Sequence, residues 1–254
     1  PQRDATVATK LKASGALLMG KLSTHEFALG GPAFDLPWPP ARNPWNTNHH
    51  PGGSSSGSGA AVAAGLLPMA IGTDTGGSVR NPASCCGIVG MKATYGRVSR
   101  AGVFPLSYSL DHIGPMTRTV IDNALMLQAI AGSDQRDPAS ARASVPDFSS
   151  NIEAGVRGLR VGYLRHFHEV DTPAHPEMAA ALDEAVGILR KEGAEVKDVS
   201  FFPLSELAAA NRIILLSEAY SIHRKWLSER PGDYAKATRD RILPGAFMGA
   251  ADYV

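Results

Sequence analysis

Two short segments between residues 52 and 82 are crowded with glycine and serine, and they constrain the local structure more than any other feature of the chain. The first reads Gly-Gly-Ser-Ser-Ser-Gly-Ser-Gly from Gly52, and the second reads Gly-Thr-Asp-Thr-Gly-Gly-Ser-Val-Arg-Asn-Pro from Gly72. Glycine adopts backbone angles that other residues resist, and serine adds little to an apolar core. The two segments therefore predict tight polar loops in which backbone N–H groups can converge on a serine hydroxyl.

The serines of these loops are candidates for nucleophilic catalysis, with Ser54 and Ser78 as the hydroxyls considered first. A serine hydroxyl is a weak nucleophile, and it needs a base to take its proton as it attacks. The tetrahedral intermediate then needs donors where negative charge develops, and backbone N–H groups commonly supply them. Four successive N–H groups are candidate donors of such an oxyanion hole: those of Thr75, Gly76, Gly77 and Ser78.

Opposite charges flank Ser78. Asp74 and Arg80 are expected to pair across the loop and hold it rigid. A structural alternative is that both segments are tight turns or a phosphate-binding loop. A Walker A loop needs a lysine before its Ser or Thr, and a dinucleotide-binding fingerprint directly follows a strand. Neither condition is met here, so turns and a catalytic loop remain the two interpretations of the local pattern.

Composition narrows the class of protein. The 254 residues suffice for one domain with a substantial core, and the net charge of +1 predicts neither a nucleic-acid partner nor a membrane surface. The longest near-apolar run, 60–72, is too short to span a bilayer. The only cysteines, Cys85 and Cys86, are adjacent, which favours a reducing compartment and hence a cytoplasmic protein. No cluster of residues has metal-ligand spacing, so no metal or other cofactor is expected.

Periodicity and turn residues predict an α/β chain. Helices are expected over 4–14, 59–67, 120–130 with Thr119 as cap, 176–192, and from Pro203 to about Arg230; strands are expected over 16–19, 68–72, 159–164 and 194–201. Six prolines in 32–51 forbid regular structure and predict an ordered loop. The strand–helix–strand order of 159–201 implies a mainly parallel sheet covered by helices.

Over about residues 4–137 the chain resembles the amidase signature hydrolases. The segments that carry the resemblance are 52–58 and 72–82, together with 20–28 (Gly-Lys-Leu-Ser-Thr-His-Glu-Phe-Ala), 42–46 (Arg-Asn-Pro-Trp-Asn), 86–92 (Cys-Gly-Ile-Val-Gly-Met-Lys), 94–99 (Thr-Tyr-Gly-Arg-Val-Ser) and 111–118 (Asp-His-Ile-Gly-Pro-Met-Thr-Arg). The resemblance implies a mixed, largely parallel central sheet covered by helices on both faces. We expect one partial domain, 1–254, truncated at both ends. Residues 1–137 would form the signature core, and 138–254 would hold a β-α-β unit and a long helix.

The resemblance also implies a Ser–Ser–Lys triad. Ser78 matches the nucleophile that forms an acyl-enzyme, and Ser54 matches the bridging serine, which follows a cis peptide bond and relays protons. Ser55 matches a position that hydrogen-bonds around the triad, and Phe27 matches positions that line the acyl pocket. Plain core packing is the alternative for Phe27. The N–H groups of 75–78 match the oxyanion hole, beside Asp74 and Arg80.

The catalytic lysine of the family has no counterpart in this chain. It belongs to a Lys-Asp segment several tens of residues before the segment 20–28, and only twenty residues precede Lys21. Lys21 and Lys92 match non-catalytic positions, while Lys10 and Lys12 lie on a predicted solvent-facing helix side. We therefore expect the base upstream of this chain, and little or no amide hydrolysis by these residues alone.

Other residues offer alternatives to this chemistry. His49, His50 or His112, the last beside Asp111, would suit a Ser–His–Asp arrangement; the structural alternatives are loop surface and ordinary hydrogen bonding. The adjacent cysteines would suit a thiol nucleophile, although free cysteine is among the most buried residue types.

The leading function is a standalone amidase that cleaves the C–N bond of a small carboxamide. Its only expected partner is the small-molecule amide, with a homodimer as the possible assembly. The first alternative is the A subunit of a glutamyl-tRNA amidotransferase, and the second is a catalytically inactive fragment. The stretch 216–223 resembles generic amidases and lacks the pattern associated with the amidotransferase protein.

Overall fold

The computed structural model describes residues 3–29 and 31–254. Residues 1, 2 and 30, which fall inside the predicted domain 1–254, lie outside the described residues. The described chain forms two compact units. The larger unit comprises the described residues up to Ser149 together with Ile213–Val254, and the smaller unit is Ser150–Arg212. The division at residue 137 remains a prediction.

Both units combine helices with strands, which confirms the predicted α/β class. The helices are α1 (Thr6–Ala13), α2 (Ser56–Ala63), α3 (Arg80–Cys86), α4 (Val120–Ile130), α5 (Pro176–Lys191), α6 (Leu204–Glu229), α7 (Lys236–Ile242) and α8 (Ala250–Tyr253). The strands are β1 (Met69–Asp74), β2 (Val89–Gly90), β3 (His112–Thr117), β4 (Arg160–Tyr163) and β5 (Glu195–Asp198).

The larger unit contains a three-stranded sheet in the order β1-β3-β2. Both of its strand pairs are antiparallel, and the register of β1 and β3 runs from Met69 opposite Thr117 to Asp74 opposite His112. The prediction of largely parallel pairing therefore does not hold for this sheet. That prediction extended the strand–helix–strand pattern of 159–201 to the whole chain, whereas residues 75–111 return the chain antiparallel to β1.

Helices cover both faces of this sheet, as predicted. Ile113 and Met116 are an odd number of positions apart on β3, so their side chains face opposite sides. Ile113 packs into an apolar cluster with residues of α1 and α4, whereas Met116 packs with Val79 and Ala83 of the α3 region. The first cluster comprises Val7, Leu11, Ala93, Val98, Ile113, Met126, Leu127 and Ile130.

Helix α2 begins three residues before its predicted start because contacts elsewhere in the larger unit satisfy its serines. The Ser58 hydroxyl donates to the Ile71 carbonyl at 2.8 Å, and the Ser56 hydroxyl donates to the Ser23 carbonyl at 3.4 Å. A Cβ at Gly57 would lie 2.6 Å from the Ser23 backbone, so glycine permits the close approach. These contacts override the weak helix propensity of serine and glycine.

The predicted buried strand at 16–19 is wrong. These residues follow α1 without strand pairing, and Leu17 and Met19 are 86% and 77% exposed. A strand forms only when another strand pairs with it, and none in the described part of the chain does so here. The apolar side chains of this segment are therefore not part of the core among the described residues.

Two other expectations are confirmed. Residues 32–51 contain neither helix nor strand. Thr119 caps α4, since its hydroxyl accepts the N–H of Asp122 at 3.2 Å.

The smaller unit contains the predicted β-α-β arrangement. Strands β4 and β5 pair in parallel, with Arg160 opposite Glu195 and Tyr163 opposite Asp198, and α5 lies between them in the chain. Helix α6 follows after Pro203 and ends at Glu229, close to the predicted stop.

Candidate active site

Ser54 lies in a tight loop immediately before α2. Its carbonyl accepts the backbone N–H of His25 at 3.0 Å, and the N–H of Gly53 donates to the side-chain oxygen of Asn81 at 3.0 Å. The Gly53–Ser54 peptide bond is cis, as the resemblance implied. Ser54 is 3% exposed, and its hydroxyl has no hydrogen-bond partner within the part of the chain that the structure describes. An unsatisfied buried hydroxyl is unfavourable, so this group calls for an explanation.

Gly53 is required by the approach of His25. A Cβ built on Gly53 would lie 2.1 Å from Cε1 of the His25 ring, which real atoms do not tolerate. The buried ring of His25 therefore lies directly against the backbone that precedes Ser54, and any larger residue at position 53 would displace it.

Ser55 joins the two glycine-rich loops. Its backbone N–H donates to the Ser78 carbonyl at 3.3 Å, and its hydroxyl accepts the N–H of Thr73 at 3.1 Å while lying 3.3 Å from the Thr73 carbonyl. The loop of Ser54 is thus tied to both ends of the loop that carries Ser78. Ser78 itself is half-buried.

Asp74 holds the second loop in shape. Its carboxylate is fully buried and forms two hydrogen bonds with Arg80, from Nε at 3.0 Å and Nη2 at 2.9 Å. It also accepts backbone N–H groups from Gly77, Val79 and Arg80 at 2.7, 3.2 and 3.3 Å. The pair predicted from charge alone is therefore present.

Burial alone would raise the pKa of Asp74. The hydrogen bonds and charge of Arg80, together with the N–H groups of Val79 and Gly77, outweigh burial and hold this pKa below its usual range. Asp74 is consequently an anion that organises the loop around it.

These bonds engage one of the four N–H groups predicted to form the oxyanion hole. The N–H of Gly77 points at Asp74, so donation to an oxyanion would compete with that carboxylate. Within the described residues, the N–H groups of Gly76 and Ser78 do not donate to a backbone carbonyl outside the helices and strands. The hydroxyl of Thr75 donates to Asp111 at 2.6 Å.

A cavity of about 460 Å³ adjoins this loop at Thr75. Its walls are mainly apolar and aromatic, and they include Tyr95, Phe104, Leu106 and Tyr108. Pockets of this size and character commonly hold small organic ligands.

Phe27 lines a cavity other than the one at Thr75, and its place in an acyl pocket stays a prediction. It has a left-handed backbone (φ 49°), and its ring lies 5.4 Å from Phe104 and 4.6 Å from His223. Together with Trp226 and Tyr234, Phe27 and Phe104 line a cavity of about 300 Å³. Phe104 also lines the cavity at Thr75, so the two spaces share one aromatic wall.

The histidine alternative is not assembled in the structure. The Asp111 carboxylate is engaged with Thr75 and with the N–H groups of Leu106 and Ser107, not with the adjacent His112. Nδ1 of His112 faces the backbone carbonyls of Leu110 and Asp74, at 2.6 and 3.2 Å. Burial, assisted by the charge of Lys92, lowers the pKa of His112.

His49 and His50 are exposed in the proline-rich loop, where Nδ1 of His50 accepts the N–H of Gly52 at 3.0 Å. This agrees with the structural alternative for both histidines.

The cysteines are poor nucleophile candidates. Burial raises the pKa of both thiols, that of Cys86 to about 11, and the thiolate is the reactive form. Cys86 is fully buried and its Sγ lies 3.3 Å from the Pro51 carbonyl.

Lysine does not reach the buried serine hydroxyl from within the described residues, since Ser54 Oγ has no partner there. Lys92 instead lies 3.3 Å from both the Ala93 carbonyl and His112 Nε2.

Among residues 3–29 and 31–254, no group of three or more His, Cys, Asp or Glu side chains could hold a metal ion.

Sequence reasoning assigned no role to two residues that shape the site, His25 and Asn81, and it placed Asp111 beside His112 rather than against Thr75. All three lie inside the segments that carry the family resemblance, but residue type alone did not show these contacts. Their contacts depend on which distant segments meet, and those meetings are set by the fold.

Similar proteins identify the family of this chain. The family model described as Amidase matches residues 1–244. The chain belongs to the amidase signature family. Relatives described as the A subunit of glutamyl-tRNA(Gln) amidotransferase occur in Trichlorobacter lovleyi (44% identical over 239 residues, 94% of this chain and 49% of that protein) and Shouchella clausii (47% over 244 residues, 96% and 50%). This family member therefore spans about half the length of the curated relatives it matches.

Solved structures of the amidase signature family match the whole fold. One, described as a vestigial protein complex that reveals the origins of an s-triazine catabolic enzyme, is 38% identical with a TM-score of 0.92 and covers 100% of this chain and 54% of that one. The A subunit of glutamyl-tRNA(Gln) amidotransferase from Thermotoga maritima is 38% identical with a TM-score of 0.83, covering 99% and 54%. A bacterial aryl acylamidase is 30% identical with a TM-score of 0.83, covering 98% and 53%. No helix among the described residues is long and apolar enough to cross a bilayer.

Proposed function

We propose that the parent polypeptide, the natural protein that contains these residues, cleaves the C–N bond of a carboxamide through an acyl-enzyme on Ser78. One observation carries the proposal: the buried, unpartnered hydroxyl of Ser54 lies in a loop tied through Ser55 to the loop of Ser78. A hydroxyl that passes protons needs a protected position within reach of the nucleophile. Within the described residues the Ser54 hydroxyl makes no hydrogen bond to Ser78, so the proposal requires the two hydroxyls to approach each other in the complete site. A purely structural serine would be expected to satisfy its hydroxyl locally.

The proposed chemistry gives each group a defined role. The Ser78 hydroxyl attacks the amide carbon and its proton passes to Ser54, while the Ser54 proton passes to a lysine supplied from outside the described residues. The N–H groups of Gly76 and Ser78 stabilise the oxyanion. The proton returns to the leaving nitrogen as the C–N bond breaks, and water then releases the carboxylic acid from Ser78.

The similar proteins favour an amidotransferase complex, rather than a standalone amidase, as the setting of this reaction. Those in Trichlorobacter lovleyi and Shouchella clausii are amidotransferase subunits, so we propose that glutamine is the amide and that its ammonia passes to a partner-bound acceptor. Standalone hydrolysis of a small amide is the second candidate, and the likeness to an aryl acylamidase supports it. A soluble cytoplasmic protein suits both settings, and homodimer formation stays a prediction.

The first test is covalent labelling of the parent polypeptide with a fluorophosphonate, which reacts with activated serines. We expect one label on Ser78. Ser78→Ala should abolish labelling, and Ser54→Ala should slow it by about 10²–10⁴-fold, the range typical of proton-transfer catalysis. Ser84→Ala is the matched control, because Ser84 is exposed on α3. Labelling of another serine, or equal rates for Ser54→Ala and wild type, would contradict the proposal.

The second test concerns the lysine. The 254-residue chain and the parent polypeptide are labelled side by side, and the chain alone should react far more slowly. Equal rates would show that the base lies within these residues.

The third test separates the two settings. Ammonia release is measured from glutamine and from a panel of simple amides, with and without co-purified partner proteins. Glutaminase activity that rises with a partner supports the amidotransferase setting, whereas partner-independent hydrolysis of simple amides supports the standalone amidase.

A further inference from the structure

The register of the antiparallel pair β1–β3 brings two further residues together. Asp74 ends β1 opposite His112 at the start of β3. The next residue beyond β1 is Thr75, and the residue before β3 is Asp111, so the two leave the sheet side by side. The Thr75 hydroxyl donates to Asp111 Oδ1 at 2.6 Å.

Both oxygens of Asp111 are occupied. Besides Thr75, Oδ1 accepts the N–H of Ser107 at 3.1 Å, and Oδ2 accepts the N–H groups of Leu106 and Ser107 at 2.8 and 3.0 Å. The N–H of Asp111 in turn donates to the Ser107 carbonyl at 3.0 Å, which closes a turn over 107–111. This carboxylate therefore connects the turn to the first residue of the Ser78 loop.

The turn is braced on its other side by Glu218 of α6. The hydroxyls of Ser107 and Ser109 both donate to this carboxylate, as do the Ser109 N–H at 3.0 Å and the Tyr253 hydroxyl at 2.7 Å. Burial would raise the pKa of Glu218, but these donors outweigh it and lower that pKa. A continuous set of hydrogen bonds thus runs from α6 through the turn to Thr75.

We infer that Asp111 is a positioning residue for the proposed oxyanion loop and acts through Thr75. The inference rests on the proposed function of Ser78. Two anions hold this loop from different sides: Asp74 fixes 77–80 from within, and Asp111 fixes residue 75 from the strand opposite. A loop held at both ends keeps its N–H groups aimed at one point, which is what stabilisation of developing charge requires.

The tie can be cut at either end. Asp111→Asn keeps the shape but replaces one acceptor oxygen by an NH₂ donor that faces N–H groups or the Thr75 hydroxyl. Thr75→Val removes the hydroxyl at similar volume, and Thr75→Ser retains it. If Asp111 acts on the loop through the Thr75 hydroxyl, the double variant of Asp111→Asn with Thr75→Val should lose little more labelling rate than either single variant.

The matched control is Asp134→Asn. Asp134 is also held by a threonine and a serine, accepting from Thr6 and from Ser99 at 2.7 Å, and by the N–H of Arg136 at 2.9 Å, with no contact to the Ser78 loop. It reports what the loss of a comparable carboxylate does to the protein in general.

Two measurements on the parent polypeptide test the inference. In the first, Asp111→Asn and Thr75→Val should each slow fluorophosphonate labelling of Ser78 by about 10- to 100-fold. Both should also lower kcat for amide hydrolysis while KM stays within about twofold of wild type. Thr75→Ser and Asp134→Asn should stay within about threefold of wild type in the same measurements. In the second, hydrogen–deuterium exchange over 73–79 is at least about tenfold faster in Asp111→Asn than in wild type and unchanged in Asp134→Asn.

The outcomes separate the two proposals. If wild type labels at Ser78 and Asp111→Asn labels equally fast, the positioning role is overturned and the proposed function stands. If wild type does not label at Ser78, the proposed function fails, and exchange over 73–79 still decides whether Asp111 holds the loop. Unchanged exchange in Asp111→Asn, a rise in KM alone, or additive losses in the double variant would each overturn the inference.

Discussion

Two arginine–carboxylate centres, one in each unit, show how differently the same chemical pair can act. In the larger unit, Arg80 meets a single carboxylate, Asp74, which is completely buried and also accepts three backbone N–H groups. In the smaller unit, Arg165 meets three carboxylates, Glu169, Asp183 and Asp198, at 2.9, 2.8 and 3.1 Å. Those three side chains are between 44% and 56% exposed.

Burial and backbone contacts, rather than the number of ion pairs, should decide which centre matters. Exposed pairs are screened by water and salt and contribute little. A buried carboxylate that has lost its partners cannot be rehydrated without disrupting the fold. The Asp74 centre also fixes backbone, so its loss changes the path of the Ser78 loop, whereas the Arg165 centre joins side chains alone.

Asp74→Ala should have the largest effect on stability. It leaves Arg80 and three loop N–H groups without their acceptor. Because each buried donor left without an acceptor costs about 1–3 kcal/mol, we expect the free energy of unfolding to fall by about 3–5 kcal/mol. Urea denaturation followed by tryptophan fluorescence measures this, since the three tryptophans, Trp38, Trp45 and Trp226, all lie in the larger unit. Asp4→Ala, which breaks an exposed ion pair with Lys12 in the same unit, is the control. An equal shift of the urea midpoint in both variants would show that burial does not set the size of the effect.

The Asp74 centre was predictable from sequence because its partners are six positions apart on one loop. The tie between Thr75 and Asp111 was not, because it spans 36 positions and exists only through the register of β1 with β3. The same reason explains the failed strand at 16–19. An apolar segment shows that burial is favourable, but not which strand, if any, pairs with it.

Within the site, too, contacts between residues close in sequence were predictable and contacts between distant residues were not. The glycines at 76 and 77 indicate an unusual loop, and their neighbours Asp74 and Arg80 indicate how it is held. The need for glycine at position 53 is visible only once the ring of His25 is placed against it. Local chemistry was therefore predictable, and distant packing was not.

Arg80→Met should have a smaller effect than Asp74→Ala. The arginine side chain is 53% exposed, and the methionine stem can replace its apolar part. Asp74 keeps its three N–H donors, so we expect a loss of about 1–2 kcal/mol, between the values for exposed ion pairs and for charged hydrogen bonds. The same urea titration measures it, and a loss as large as that of Asp74→Ala would show that the arginine, not the backbone contacts, stabilises the loop.

The contribution of Asp74 to the free energy of unfolding should depend on pH. The folded pKa of Asp74 is lower than its unfolded value, so its contribution is complete above the unfolded pKa, near about 4, and is lost as pH falls through the folded pKa. The difference in unfolding free energy between wild type and Asp74→Asn should thus be constant from about pH 7 to 5 and shrink below about pH 4. Denaturation at each pH measures it; a difference that persists undiminished to about pH 3 would contradict the lowered pKa.

Arg165→Met should have the smallest effect, although it removes more ion pairs than any other change considered. Arg165 also stacks on Tyr163, with its guanidinium carbon 4.6 Å from the ring centroid, and methionine can keep part of that contact. We expect hydrogen exchange over β4 and β5 to change by less than about twofold, and that small change to vanish in about 1 M salt because the pairs are already screened. The contrary outcome is an increase in exchange of about tenfold that survives high salt. It would mean that three half-exposed carboxylates stabilise a unit as strongly as one buried carboxylate stabilises a loop. Burial would then not be the property that separates the two centres.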